Sequence, residues 1–479
     1  MEIVFPNIPL YEGWGKPLRT ESHVEGLELV AGHVPEGLNG TWYRAGADRQ
    51  YPPLGGEDVF IDGEGMAHMF RFDNGHVSYR SRWVRTARFI AQEKSRRTLF
   101  GRYRNRYTAD PEAAGINPGT ANTSMLFHAG RLTVLKEDDL PYEVDPDTLE
   151  TRRRTDLDGQ VSSVSLSAHP KIDTDRGELL TFSFQAKGDA TTDVAVYIFD
   201  VEGRKVHEMW FNAPWAGVVH DFAITEEHIV IPFFPLITTL ETLKKGGTFY
   251  EWHDDKPTWV AVLPRRGSGD DVRWFKGPTL SAGHMMNAVT DGSKVHLDLC
   301  LYHGNCFPFF KTPDGRETAP VPPILTRMTF DLARNDDAFT YAPLIEQPGE
   351  MPRTDDRYQG RPYRHGFMIM SRAPDGTSSL GRVDLADGSI DFWNHGEKIS
   401  VHEAQFVPRS PEAGEADGWL LTILNRLDKG HSELAVLDAQ KLSEGPVARL
   451  HIPVRVRSTF HGMWVPAEAL DAARVPAAA

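Results

Sequence analysis

Short runs of alternating apolar and polar residues, separated by turns that contain Gly or Asp, recur along the whole chain. An alternation with a period of two is typical of strands with one buried face, and a short turn between two such runs predicts a β-hairpin. Because these signals dominate, we expect an all-β protein. The predicted hairpins lie at residues 70–80, 126–135, 196–206 and 288–299, with further turns at 374–376 and 386–388.

Helical patterns are scarce. Two short helices are predicted, at residues 85–100 and 237–245, and the Ala-rich tail 467–479 is expected to fray. No low-complexity linker or change in composition divides the chain, so residues 1–479 are expected to form a single domain. Many hairpins without a domain break are typical of a sandwich, a barrel or a propeller.

The spacing of four histidines favours the propeller among these folds. His169, His220, His284 and His461 all have small or apolar neighbours, and none lies in a charged run. The first two gaps between them each fit about one four-stranded blade with its loops, and the third fits about three. The inner strands of a propeller surround one axis, so histidines from four blades of a seven-bladed β-propeller could converge there. Pro170 favours extended backbone at His169, which is expected to begin or end a strand.

Four neutral imidazoles that meet at one point would form a metal site. A set without thiolate or carboxylate suits Fe(II), Cu or Zn, and a structural zinc site more usually contains thiolates. An octahedral ferrous ion with four ligands keeps two positions for dioxygen and for a substrate or water. The alternative, in which the histidines are surface or satisfied core residues, stays open at this point.

Three glutamates are candidates for a layer around such a site. A ligating imidazole usually gives its second N–H to a carboxylate, which fixes its tautomer and orientation. Glu137, Glu350 and Glu403 all lie in apolar sequence settings. The alternative for each is a solvated loop carboxylate, and the neighbours Asp138 and Asp139 favour this alternative for Glu137.

The amino-acid composition and net charge limit the binding partners and the compartment expected for this chain. The chain has 479 residues with 40% hydrophobic content, enough for a sizeable core, and a net charge of −15. No stripe of Lys and Arg is present, so nucleic acid is not an expected partner. Only two cysteines occur, Cys300 and Cys306, which excludes a disulfide framework and fits a reducing cytoplasm.

Membrane insertion is not expected. The N-terminal residues lack the basic and apolar regions of a signal peptide, and no run of 18 apolar residues occurs. The most apolar stretch, residues 229–240, contains Pro232 and Pro235. We interpret it as a buried loop or as an apolar lip at the entrance of a cavity.

Motifs along nearly the whole chain carry a family resemblance. They are residues 39–44, 62–68, 79–86, 168–171 and 220–222, His284 with Asn287, residues 403–409 and residues 460–462. Together they resemble the carotenoid cleavage oxygenase family. The resemblance implies a seven-bladed propeller with a cap of loops and short helices over the metal-bearing face. It also implies an Fe(2+) ion held by the four histidines, the three glutamates as an outer layer, and O2-dependent cleavage of a carbon–carbon double bond into two carbonyl fragments.

One departure from the family pattern follows the third histidine. Many members carry a second histidine or an aromatic residue there, whereas this chain has Met285 and Met286. His284 itself and Asn287 are kept, so the implied metal ligand stands.

Within that family the sequence is similar to the lignostilbene- and resveratrol-cleaving dioxygenases, in which a Tyr/Lys pair holds the 4-hydroxyl group of the substrate. The resemblance assigns this pair to Tyr103 and Lys136. A buried lysine is costly without a polar partner, and a phenol is such a partner. The pair would favour the phenolate, whose charge delocalises toward the olefin. The alternatives are a packing tyrosine and a lysine that extends to solvent along an apolar surface.

The predicted function is therefore an Fe(II)-dependent dioxygenase that cleaves the central double bond of 4-hydroxystilbenes with O2 to give two aromatic aldehydes. Phe60 and Phe307 could line the cavity for a flat substrate, with core packing as the alternative. An apocarotenoid-cleaving enzyme, which would need a longer apolar tunnel and no Lys136, is the first alternative, and a non-catalytic propeller scaffold is the second. Whether the chain forms a homodimer is left open.

Overall fold

Antiparallel strands make up most of the regular structure, in agreement with the all-β prediction. The computed structural model of the protein describes residues 3–55, 58–370, 376–393 and 398–474. The first strands are β1 (Ser22–Val24), β2 (Glu28–Gly32), β3 (Gly40–Asp48), β4 (Glu64–Asp73), β5 (His76–Trp83), β6 (Ser124–His128), β7 (Arg131–Leu135), β8 (Tyr142–Val144), β9 (Thr151–Arg154), β10 (Lys171–Asp173), β11 (Glu178–Phe184), β12 (Asp193–Phe199), β13 (Lys205–Asn212), β14 (Ala223–Ile224), β15 (His228–Phe233) and β16 (Leu236–Ile237).

The remaining strands continue the same antiparallel pattern. They are β17 (Glu251–Trp252), β18 (Thr258–Pro264), β19 (Arg273–Gly277), β20 (Ser281–Asp291), β21 (Lys294–Tyr302), β22 (Ile324–Asp331), β23 (Thr340–Arg353), β24 (His365–Met370), β25 (Ser379–Asp384), β26 (Ile390–Phe392), β27 (Ile399–Val401), β28 (Gln405–Pro408), β29 (Gly418–Arg426), β30 (His431–Asp438), β31 (Pro446–Ile452) and β32 (Thr459–Pro466).

Helices are short and few, as predicted. The α-helices of the described residues are α1 (Ala87–Ser95), α2 (Leu240–Lys244) and α3 (Ala467–Arg474). Helix α1 begins where the Thr86 side chain accepts a hydrogen bond from Phe89 N, and it ends at Arg96 in the left-handed region. Single 3₁₀ turns lie at Pro9–Tyr11, Gly13–Gly15, Arg106–Thr108, Pro111–Ala113, Gly269–Asp271, Asp356–Tyr358 and Leu442–Glu444.

The predicted hairpins follow from their turn residues. In the turn between β4 and β5, Asn74 and Gly75 have φ of 47° and 83°, which suits a two-residue turn that matches the strand twist. The turn 386–388 joins β25 to β26, and the predicted turn 374–376 lies largely outside the described residues. The confirmed hairpins are β4–β5, β6–β7, β12–β13 and β20–β21.

Two predictions about apolar or Ala-rich segments are wrong. Residues 229–240 are not a loop, because β15, β16 and the start of α2 occupy them. Pro232 is tolerated in β15 because the neighbouring β14 pairs only with Ile229 and Val230 and leaves that edge free beyond them. The tail does not fray over residues 467–474, since α3 buries Leu470 against the body of the protein.

The strands form separate sheets whose members are mostly consecutive in sequence. The strand orders are β6-β7-β8-β9, β10-β11-β12-β13, β14-β15-β18-β19 and β20-β21-β22-β23-β24-β25-β26, the ribbon β16-β17, and two sheets that combine early and late strands, β1-β5-β4-β3-β32 and β2-β31-β30-β29-β27, with β28 also paired to β29. The seven blades and the cap stay predictions, as does the single domain.

The core lies between neighbouring sheets. Strand β12 shows why, because its two faces are both buried. Val194, Val196 and Ile198 pack into one apolar cluster, whereas Tyr197 and Phe199 pack into another. Full burial of such a side chain stabilises the fold by about 1.5–3 kcal/mol. Because both faces of β12 are buried, its sequence is a nearly continuous apolar run. No helix among the described residues is both long and apolar enough to cross a bilayer.

The first and last parts of the chain share a sheet. Strand β3 pairs with β32, with Arg44 opposite Gly462, and β2 pairs with β31. We call the β3–β32 pairing the seam. It is tight, because a Cβ atom on Gly462 would lie 1.8 Å from the carbonyl oxygen of Tyr43. The seam therefore fixes the strand that carries His461.

Gly462→Ala tests the seam. The added methyl group must push β3 and β32 apart, and such overpacking usually costs about 1–3 kcal/mol of the free energy of unfolding. Denaturant unfolding measures the change. Gly414→Ala is the control, because a Cβ atom there meets nothing within 4 Å. Equal stability of the two variants would show that the seam tolerates a side chain.

Candidate metal centre

The four predicted histidines lie together at one point. Their ligating nitrogens are all within 4.8 Å of one another. The Nε2 atoms of His169 and His220 are 3.2 Å apart, and those of His284 and His461 are 3.1 Å apart. Neutral imidazole nitrogens that face each other so closely repel through their lone pairs unless a proton or a cation lies between them. The cluster is therefore a candidate metal site.

Two of the histidines lie within strands, and the other two lie just before the strands of two further sheets. His169 lies in the bend that leads into β10, and His220 precedes β14. His284 and His461 lie within β20 and β32, and each is at a β-bulge, where the pairing register shifts. A bulge turns one side chain out of the regular alternation and is common beside functional sites. His169 was predicted to begin or end a strand, and it lies instead in a bend two residues before β10 begins at Lys171.

Carboxylates contact the outer nitrogen of three of these histidines. His284 Nδ1 lies 2.7 Å from Glu350 Oε2, and His461 Nδ1 lies 2.8 Å from Glu403 Oε1. A proton held on Nδ1 leaves the Nε2 lone pair free to bind a metal. Gly283 makes room for this arrangement, because a Cβ atom there would lie 2.6 Å from Glu350 Oε1.

Glu137 is the third carboxylate, and it is not a solvated loop residue. It is 4% exposed, and its Oε1 lies 3.5 Å from His220 Nδ1. The same oxygen lies 3.7 Å from Lys136 Nζ. The longer contact with His220 makes it the weakest of the three pairs. The adjacent aspartates hid its burial in the sequence.

The protonation of the cluster suits metal binding. Burial lowers the pKa of His169 well below its usual range, and burial also lowers the pKa of His461 to about 4. Although burial alone would raise the pKa of Glu403, His461 and Arg353 lower it to about 2. For His284 the adjacent Glu350 outweighs burial and raises the pKa. The lowered pKa values of His169 and His461 favour neutral imidazoles, and the lowered pKa of Glu403 favours an ionised carboxylate.

Two residues that hold this arrangement were missed from the sequence. Asp221 is buried and accepts hydrogen bonds from Lys171 Nζ at 2.7 Å and Met285 N at 2.8 Å, which links the segments of His169 and His284. The other, Arg44, is fully buried on β3. The signal for Asp221 was its position directly after His220 within a family motif.

Arg44 connects the segments that carry Glu403 and His461. Its guanidinium donates to the carbonyl oxygens of Glu403 at 3.0 Å and Phe460 at 2.5 Å. It also donates to Thr459 Oγ1 at 2.8 Å and lies 3.4 Å from Glu403 Oε2. A single buried cation therefore fixes a carboxylate relative to the histidine that it orients.

A cavity beside the histidines contains all four predicted substrate-contacting residues. Its lining includes Phe60, Tyr103, Lys136 and Phe307 together with His220, His284 and His461. We call it the metal cavity. Lys136 Nζ lies 5.3 Å from the centre of the Tyr103 ring. The Phe307 ring meets His220 edge-on at 6.0 Å, and Phe60, at the rim, is 47% exposed.

Comparison with known proteins identifies the class of fold and site. A family model described as retinal pigment epithelial membrane protein (RPE65) matches residues 15–466. The crystal structure of lignostilbene dioxygenase from Pseudomonas brassicacearum superposes with a TM-score of 0.94 at 42% sequence identity, covering 97% of this chain and 100% of that chain. This match shows that the fold is the propeller of the carotenoid oxygenases.

Curated relatives agree with the match to the family. Isoeugenol monooxygenase from Pseudomonas nitroreducens is 42% identical, covering 96% of this chain and 98% of its own length. Lignostilbene-alpha,beta-dioxygenase isozyme III from Sphingomonas paucimobilis is 37% identical, covering 99% of both chains. The protein belongs to the RPE65 family of carotenoid oxygenases. The predicted family and the prediction of an oxygenase are confirmed.

The outer carboxylates can be tested by metal affinity. Glu350→Gln and Glu403→Gln should each weaken Fe(II) binding by roughly 10–100-fold, because the amide no longer accepts the Nδ1 proton as strongly. Glu137→Gln should weaken it less, since the contact with His220 is longer. Chelator competition with Fe(II) and Co(II) measures the affinities.

The matched control is Glu433→Gln. Glu433 is buried and pairs with Arg426, Arg449 and His431, none of which belongs to the cluster of four histidines. Its variant should keep wild-type metal affinity whatever its stability. Wild-type affinity in Glu350→Gln and Glu403→Gln would show that these carboxylates do not support the metal.

Proposed function

We propose that the protein is an Fe(II)-dependent dioxygenase that cleaves the double bond of 4-hydroxystilbenes with O2 to give two aromatic aldehydes. The observation that carries the proposal is the presence of Lys136 and Tyr103 in the wall of the metal cavity. A bound ferrous ion would supply the activation of dioxygen, with His169, His220, His284 and His461 as its ligands. We also infer that the sheets are the blades of a seven-bladed propeller with a cap over this face.

The environment of Lys136 supports a phenolic substrate. Lys136 is 4% exposed, and its Nζ has no hydrogen-bond acceptor within reach among the described residues. Its charge partner, Glu137 Oε1, is 3.7 Å away and also contacts His220. A buried ammonium with unused N–H groups is costly, and the oxygen of a phenol or phenolate would satisfy it.

Tyr103 complements Lys136. Burial, with a further contribution from Glu137, raises the pKa of Tyr103 well above its usual range, so its hydroxyl stays protonated. It would therefore donate a hydrogen bond to the substrate oxygen while the Lys136 ammonium balances the negative charge. Both interactions favour the phenolate, which delocalises charge into the olefin. The rings of Phe60 and Phe307 would hold the flat substrate.

A 4-hydroxyphenylpropene is a second candidate substrate. The relative named isoeugenol monooxygenase is as similar in sequence, at 42%, as the lignostilbene dioxygenase of known structure. Lys136 and Tyr103 would hold its phenol in the same way, and the two substrates differ only beyond the double bond. Apocarotenoid cleavage is less well supported, because it leaves Lys136 without a partner.

The cellular setting is inferred from the cysteines. Cys300 is buried, Cys306 is partly buried, and neither forms a disulfide. Two free thiols suit a reducing compartment, so we propose a cytoplasmic enzyme whose partners are the phenolic olefin and O2.

Lys136→Met and Tyr103→Phe test the proposal. The wild-type protein loaded with Fe(II) should cleave a 4-hydroxystilbene, whereas 4-methoxystilbene and unsubstituted stilbene should react at least about 100-fold more slowly, because buried polar groups would be left unpaired. Lys136→Met should lose most activity and Tyr103→Phe less, since one partner remains. Aldehyde release measures the rates.

Iron content is the control for each variant, because loss of metal would also abolish turnover. Isoeugenol and an apocarotenal are assayed in parallel to separate the substrate classes. Equal rates on hydroxylated and unsubstituted stilbene, or full activity of Lys136→Met, would contradict the role given to the phenol.

A further inference from the structure

A second cavity lies behind Tyr103 and is polar where the metal cavity is largely aromatic. It has a volume of about 340 Å³, and its lining includes Asp62, Arg88, Tyr103, Thr120, Asp138 and Asp139. We call it the polar chamber. Tyr103 also lines the metal cavity, so the two cavities meet at this side chain. The phenol end of a bound substrate would therefore lie next to the polar chamber.

Several buried polar atoms of the chamber residues have no hydrogen-bond partner among the described residues. They are Asp138 Oδ1, Asp139 Oδ2, Thr120 Oγ1 and Arg88 Nη2. The side chains of Asp139, Thr120 and Arg88 are at least nine-tenths buried. Buried polar groups in native proteins almost always have a partner, and a roomy polar cavity supplies it as water. The chamber, with a volume of about 340 Å³, is large enough to hold several water molecules beside Tyr103.

Deprotonation of a phenol needs an acceptor that the metal cavity does not offer. Lys136 is proposed above as the positive partner of the phenolate, a role that is incompatible with accepting the phenolic proton. Tyr103 keeps its own proton, as described above. Glu137 is occupied by Lys136 and His220, which lower its pKa against the effect of burial. The proton must therefore leave the metal cavity.

We propose that Asp138 accepts the phenolic proton of the substrate through water in the polar chamber. The O–H bond of the phenol breaks, an O–H bond forms on the Asp138 carboxyl group, and the negative charge passes to the phenolate beside Lys136. No oxidant or further reactant takes part in this step. The inference rests on the proposed function, because it requires a 4-hydroxyl group at Tyr103 and Lys136.

The position of Asp138 supports this role. It follows Lys136 by two residues, and its Oδ2 lies 3.2 Å from Arg104 Nε, next to Tyr103 in sequence. Burial, with Glu137 and Asp139 adding to it, raises the pKa of Asp138 despite Arg104 and Lys136, so it is the better proton acceptor than Glu137. The charged and titratable groups that face it are Arg104, Lys136, Glu137, Asp139, Tyr103 and Tyr250.

The test observes the bound phenol directly, without oxygen and therefore without turnover. The iron-loaded wild-type protein is mixed anaerobically with a 4-hydroxystilbene at fixed pH, and the long-wavelength absorbance of the phenolate is followed in time by stopped flow. Asp138→Asn should slow the appearance of phenolate after mixing, whereas Asp138→Glu should restore the rate in part. In air, Asp138→Asn should cleave this substrate roughly 100-fold more slowly, the usual size of a lost general base.

A more acidic phenol distinguishes a variant that has lost proton transfer from one whose site is damaged. A 3,5-difluoro-4-hydroxystilbene ionises in water near neutral pH and needs no acceptor. Asp138→Asn should therefore cleave it at about the wild-type rate. Asp298→Asn is the matched control, because Asp298 is buried and paired with Arg327 at 2.7 Å but does not line the chamber. It should leave the phenolate spectrum of both substrates unchanged.

If Asp138→Asn does not fold, Thr120→Val provides a second test of the same inference. It keeps every charge but removes one unpartnered hydroxyl from the chamber, and it should slow the appearance of phenolate. A wild-type phenolate spectrum and rate in Asp138→Asn, or in Thr120→Val when it alone folds, overturns the inference. A wild-type protein that cleaves neither phenol overturns the proposed function itself.

Discussion

Repulsion between four imidazole nitrogens is the constraint on which the rest of the site depends. The nitrogens lie within 4.8 Å of one another, and their segments belong to, or lead into, four different sheets, so no single sheet can separate them by moving alone. Two bulges and a proline turn the side chains inward against the ordinary alternation of the strands. The fold thus holds an arrangement that a proton or a cation between the nitrogens makes favourable.

Buried charged side chains hold the histidine cluster rigidly, with carboxylates next to the histidines and an arginine behind one of the carboxylates. The glutamates orient the histidines, and Arg44 in turn fixes Glu403 to the backbone of the strand that carries His461. Each layer is buried, which removes competition from water and makes the loss of one partner costly. The substrate side is organised differently, with Lys136 left incompletely paired. The histidines are thus held rigidly by paired charges, whereas the substrate side keeps N–H groups that a ligand could satisfy.

Features that depend on neighbouring residues were predictable from the sequence, whereas features that depend on contacts with distant residues were missed. Hairpins were predictable because Asn74-Gly75 and similar pairs select the turn, and the histidines because of their shared setting. Residues 229–240 were misjudged, since Pro232 is harmless only where β14 happens to be short. Arg44 could not be assigned, because its partners Glu403 and Phe460 lie more than 350 positions away. The burial of Glu137 likewise depends on strands that its acidic neighbours do not reveal.

The seam between β3 and β32 has a thermodynamic consequence. His461 reaches the other three histidines only when these strands are paired, so the closed seam and the complete metal site are the same state of the molecule. A ligand that binds one state alone stabilises it by RT ln(1 + [L]/Kd). Metal concentration is therefore linked to the opening of the seam, and any change that loosens the pairing of the first and last strands must raise the apparent dissociation constant of the metal.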